Sequence, residues 1–128
     1  MKQFLLLFCL TLTISVSAQK ANFSTSNVKE KNADNTVTFN CTITSLQSSQ
    51  QVQTISTSMK RLKPVVKVDI SNVTPTQADF KITTVKEDNV HTLQNALAAA
   101  NIQDFTIDGK AYKVVNLYDV MQSIKKKK

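Results

Sequence analysis

From residue 36 to residue 43 the chain alternates without a break. Val37, Phe39, Cys41 and Ile43 fall on one side of an extended segment, and Thr36, Thr38, Asn40 and Thr42 fall on the other. Side chains of a strand point to opposite faces in turn. This segment is therefore predicted to be a half-buried strand, dry on one side and wet on the other, and such a strand needs a covering layer.

The next segments supply that layer. Ser48 or Ser49 is a suitable helix N-cap. Val52, Ile55, Met59 and Leu62 then recur at spacings of three, four and three, which places them on one helical face. Lys60, Arg61 and Lys63 gather where the last turn favours cations, and Pro64 stops the helix. Val66, Val68 and Ile70 make a second alternating strand, a turn spans 72–76, and Ala78, Phe80, Ile82 and Thr84 make a third. Asp88 or Asn89 caps a second helix, striped by Val90, Leu93, Leu97 and Ala100 and stopped by Asn101. Phe105 and Ile107 begin a fourth strand.

Strand, helix, strand, strand, helix, strand predicts an α+β chain, a ferredoxin-like βαββαβ two-layer sandwich. Asp108-Gly109 allows a tight turn into a further strand over 111–114. Asn116 then caps a short amphipathic helix carrying Leu117, Tyr118, Met121 and Ile124. The expected organisation is a segment to be removed at 1–18, a flexible polar lead-in at 19–35, the sandwich domain at 36–114, and a helix with a lysine tail at 115–128.

The first of these follows from a positive start, Met1-Lys2-Gln3, an apolar run over 4–16, and small residues in Val16-Ser17-Ala18. That is the pattern of a secretory signal peptide, with cleavage expected near Ala18 and a secreted, periplasmic or extracellular, product. The run is shorter than the roughly 20 apolar residues a membrane-spanning helix needs, so no membrane span is expected. Removing 1–18 removes Cys9 and leaves Cys41 alone, so stability within one chain rests on packing rather than on a disulfide.

The charge of +7 at pH 7 is concentrated at one end. Without Lys2 it is +6, and Lys125, Lys126, Lys127 and Lys128 supply four of those charges, so the body carries about +2. One arginine, Arg61, and no basic strand interleaved with aromatic residues argue against nucleic-acid binding. The lysine tail is a possible polyanion contact.

On these residues the chain resembles the heavy-metal-associated domain family, the fold of copper chaperones. Ile55, Met59 and Leu62 keep that family's spacing in the first helix. Lys63-Pro64-Val65 and Val68-Asp69-Ile70 resemble its turn and second strand, and Leu93, Ala96-Leu97 and Ala100-Asn101 resemble the close of its second helix. The resemblance covers about 36–107 and implies a ferredoxin-like scaffold. The family's paired cysteines fall at Ser48 and Gln51, in the loop containing Ser45, Leu46 and Gln47. A hydroxyl and an amide do not hold a soft ion as thiolates do, so no metal and no cofactor are expected.

The other candidates for chemistry are few. Cys41 sits on the inward face of the first strand and reads as a small hydrophobe. His91 is the one histidine and falls off the stripe of its helix. Met59 and Met121 lie on apolar stripes and read as core filling. With one glycine, Gly109, the chain has no phosphate-binding loop, and one histidine off the core is a poor start for a triad. The expectation is a non-enzymatic binding module whose partner is an unidentified protein or envelope component. The alternative is a copper or zinc protein with non-standard ligands such as Cys41 and His91.

Overall fold

The computed structural model describes residues 19–26 and 28–127, excepting the side chains of 125–127. The signal-peptide reading of 1–18 lies outside the described residues. The elements run β1 (Lys20–Phe23), β2 (Lys29–Lys31), β3 (Thr36–Thr44), α1 (Gln50–Lys60), β4 (Val65–Ser71), β5 (Gln77–Val85), α2 (Asn89–Ala99), β6 (Asp104–Ile107) and β7 (Lys110–Lys113). A 3-10 turn, Val114–Asn116, then leads into α3 (Leu117–Lys127).

The described strands form one seven-stranded sheet in the order β4-β5-β3-β1-β6-β7, with β2 attached to β3 outside this path. This corrects the ferredoxin-like βαββαβ expectation. In that fold the first and last strands of the repeat pair directly; here the equivalent strands, β3 and β6, are held apart by β1. β1 runs antiparallel to β3, with Ala21 opposite Ile43, and parallel to β6, with Ala21 opposite Phe105. The sheet is thus mixed and wider than the expected one.

The physical reason lies in three residues of the supposed lead-in. Ala21 and Phe23 point into the core, 0% and 4% exposed. Asn22, between them, faces the other way and joins both neighbours by its side chain. Its Nδ2 donates to the Thr42 carbonyl at 2.9 Å and to Thr44 Oγ1 at 3.0 Å, and Thr106 Oγ1 donates to its Oδ1 at 2.7 Å. A polar residue that bonds to two strands at once replaces the longer apolar alternation by which a strand is ordinarily recognised.

After β1 the chain bulges at Thr25 and Ser26 and then returns to the same edge of β3. The Asn40 amide donates to the Val28 carbonyl at 3.1 Å, and β2 pairs Lys29 with Phe39 and Lys31 with Val37. A turn with Asn35 at φ 64° closes this arm onto β3. Residues 19–35, expected as a flexible lead-in, therefore contribute two strands.

The core lies between the sheet and its helices. α1 packs over β4, α2 over β5, and α3 against α2. β3 gives Val37, Phe39, Cys41 and Ile43, and β5 gives Ala78, Phe80 and Ile82, all on the face that the alternation assigned inward. From the helices come Val52, Ile55 and Met59, then Leu93, Ala96 and Leu97. A fully buried side chain of this size contributes about 1.5–3 kcal/mol. α3 belongs to the same core, because Leu117 is fully buried.

Local differences from the sequence expectation have visible causes. A bulge between Val65 and Lys67 turns Val65 and Val68 inward and leaves Val66 53% exposed. Leu62 falls in the turn after α1 and packs there rather than on the helix. Asn101 does adopt the left-handed conformation, at φ 64°, and Asp108 and Gly109 make the tight turn between β6 and β7 with φ 51° and 86°.

Candidate functional site

The loop at the family's metal position is closed. Ser45 turns the chain with φ 63°, and Leu46, 4% exposed, plugs into the core while its amide donates to the Thr76 carbonyl at 3.0 Å. The Gln47 amide donates to Gln51 Oε1 at 2.6 Å, so the first turn of α1 is held by a side-chain amide, and Ser49 makes no capping bond. Ser48 is exposed, and Gln51 is half-buried.

Cys41 lies under the helices, 6% exposed, and burial pushes its thiol up to about 12, with the Asp79 charge adding to the effect. It is a neutral, inert thiol. His91 sits on α2, stacked on the Tyr118 ring at 4.0 Å, with Nδ1 2.6 Å from Asp88 Oδ1. The contact joins α2 to α3, which gives His91 a packing role. Among the described residues no group of three or more His, Cys, Asp and Glu side chains gathers where it would hold a metal. Met59 is fully buried. The side chains of Lys125 to Lys127, and Lys128 itself, lie outside the described residues.

Two concavities stand out among the described residues, one on each face of the sheet. The face away from the helices carries a pocket of about 330 Å³ lined by Asn22, Thr42, Asn72, Asp79 and their neighbours. Its polar groups are largely bonded to one another. Thr42 Oγ1 and Asn72 Nδ2 both donate to the Asp79 carboxylate at 2.7 Å, and the Asn72 and Thr42 bonds hold its pKa below the ordinary 3.8. Thr38 and Thr83 meet at 3.0 Å on the same face. This is a cross-strand lattice that fixes register.

The second concavity is different in kind. Between α3, the first turn of α2 and β2 runs a groove of about 560 Å³, walled by Val28, Val90, Met121 and Ile124 over Phe39. It exists because α3 lies along α2 and leaves the β2 end of the sheet uncovered. Its size falls in the range of small-molecule sites, roughly 300–1,000 Å³. Lys29 and Lys31 line it from β2. Their register partners are Phe39 and Val37, so both lysines stand on the helix side of the sheet, where β1, β3 and β6 carry apolar residues. Beside it is a recess of about 270 Å³, lined by the same two lysines with Asn35, Thr36, Lys86 and Asn89. Among the described residues neither lining contains a carboxylate.

The bulge that shapes this groove is fastened from below. Thr25 donates to Asp108 through its amide at 3.1 Å and its hydroxyl at 2.7 Å, and the Asp108 amide donates to the Phe23 carbonyl at 3.0 Å. The hydroxyl and amide bonds from Thr25 hold the Asp108 carboxyl below its ordinary range.

None of the groove residues was a candidate from sequence except Met121, expected as core, and it is half-buried at the groove wall. The available signal was Lys29-Glu30-Lys31, a charged strand ahead of the alternating one. Comparison with known proteins finds no family model, no curated protein and no solved structure that matches this chain. No match therefore bears on the resemblance to heavy-metal-associated domains. No helix among the described residues is long and apolar enough to cross a membrane.

Proposed function

We propose that this protein is a secreted, non-catalytic binding module and that the groove beneath α3 is where it binds. The observation carrying this reading is the unevenly covered sheet. Every other inward position of β1, β3, β5 and β6 is sealed, yet Val28, Val90, Met121 and Ile124 are only partly buried around an accessible volume. Partly buried apolar side chains arranged around a concavity gain by taking up an apolar ligand. Secretion rests on the N-terminal pattern of residues 1–18. The metal-protein alternative gains no support from the places Cys41 and His91 occupy.

A neutral apolar dye such as Nile red tests the groove. The expected result is saturable binding with amide resonance shifts confined to Val28, Val90, Met121, Ile124 and their neighbours. Val90→Trp, which fills the groove from α2, should abolish it while leaving the remaining spectrum intact. Shifts centred on residues 45–51, or no saturable binding, would overturn the assignment. Deletion of 115–128 is a poorer test, because it removes the buried Leu117 and so damages the fold itself.

A further inference from the structure

We propose that two copies of this chain pair through β4, antiparallel and edge to edge, joining their sheets about a two-fold axis at Val68. Among the described residues β4 ends the sheet, with β5 on one side and no strand on the other. It is seven residues long, and past the bulge its register with β5 runs without a break from Lys67 to Ser71. An edge of that length presents backbone donors and acceptors that another strand satisfies. Among the described residues none of β4 lines the groove, so this surface stands apart from the groove reading.

Charge placement singles out a second copy as the occupant. Antiparallel pairing with Val68 opposite the partner's Val68 sets Lys67 opposite the partner's Asp69, and Asp69 opposite the partner's Lys67. The two side chains are 63% and 59% exposed and lie 3.6 Å apart within one chain. Both stand on the face away from the helices, where they line a recess with Thr38 and Thr83. The partner thus extends an ion pair already present into a row of alternating charges, with Lys81 next in line opposite Asp69 on β5. The same register lays the exposed Val66 against the partner's Ile70. A lone lysine guards an edge strand against pairing; here Asp69 reverses that effect for this one partner. β7, at the other end of the sheet, has no such complement. It is four residues long, and two-fold pairing sets Lys110 opposite the partner's Lys113 with no acid on the strand. Self-pairing of β4 therefore uses up one edge and leaves a blunted one, which closes the assembly at a dimer.

Sedimentation equilibrium of the purified protein should show monomers and dimers exchanging between micromolar and millimolar concentration, with the amides of residues 66–70 slowing in hydrogen exchange as dimer forms. Lys67→Asp and Asp69→Lys each set like charges opposite one another twice in the dimer, so each should weaken dimerisation about tenfold or more. Both side chains are exposed, so neither change should alter the monomer's spectrum. An equimolar mixture of the two variants should regain association as a heterodimer, and the double variant carrying both changes should regain it as a homodimer. A protein that stays monomeric at millimolar concentration would overturn the proposal. Dimers indifferent to both charge reversals would overturn it in favour of another surface, and assemblies that keep growing with concentration would overturn the closed two-fold pairing.

Discussion

β1 and β2 are successive parts of one arm, both antiparallel to β3, yet they are built on opposite terms. β1 has a strand on each side and sends Ala21 and Phe23 into a sealed core. β2 pairs with β3 and sends two lysines to the same side. The difference teaches that inward position on this sheet does not dictate residue type. What dictates it is whether a helix lies above: over β1 the core is closed, and over β2 it opens into the groove.

The sharpest way to break this comparison is to truncate the inward residue of each strand. Phe23→Ala removes a ring that packs edge-on to Phe105 at 6.1 Å, and should cost about 3–5 kcal/mol in urea unfolding. Lys29→Ala or Lys31→Ala should change stability by less than about 0.5 kcal/mol. Comparable losses at both strands would mean that β2 is as much a part of the core as β1.

A smaller effect is expected at Asn22. Asn22→Ala removes three side-chain bonds across β3 and β6, so a loss of about 2 kcal/mol is expected from roughly 0.5–1.5 kcal/mol per bond. A change under about 0.5 kcal/mol would show that Ala21 and Phe23 alone seat the strand. Cys41 provides a reporter at the junction of the two strands. Its thiol, pushed up to about 12, should resist a thiol reagent at pH 8 in the native protein and react fully when unfolded. Thr25→Val, which removes one hydroxyl of the fastening at Asp108, should speed that labelling if the bulge is the site of local opening.

The least of these effects is on pH dependence. Asp79 and Asp108 both have folded pKa values below the ordinary 3.8. A depressed carboxylate contributes stability that is fully present above the unfolded value and is lost as pH falls through the folded one. Asp79→Asn and Asp108→Asn should therefore each flatten the decline in stability below about pH 4, near the unfolded value. An unchanged acid limb in both variants would contradict the hydrogen bonds from Asn72, Thr42 and Thr25.

Much of this architecture can be read from the residues, and the contrast between β1 and β2 marks where reading stops. β3, β5 and the two stripes of α1 and α2 carry long periodic patterns, and most of their inward residues are buried, with Leu62, Val90 and Ala100 partly so. β1 is four residues long and its decisive member is a polar Asn, whose partners lie 20, 22 and 84 positions away. Such a strand has no local signature, and missing it gave the wrong sheet. Likewise Val66 continues an apolar alternation that a bulge interrupts. The groove is less legible still, since it depends on α3 choosing α2 as its support through Leu117 and the His91–Tyr118 stack. Neither contact follows from spacing within one segment.

Because β1 fills the slot between β3 and β6, its seating depends on segments far along the chain. Bringing Ala21 beside Phe105 closes a long loop, whereas β4 and β5 zip together across the short turn at 72–76. The molecule should consequently mature from the β5 side outward, with its earliest residues the last to lock. In pulse-labelled hydrogen exchange, the amides of Ala21 and Phe23 should gain protection after those of Phe80 and Ile82; simultaneous protection would refute a late-arriving keystone.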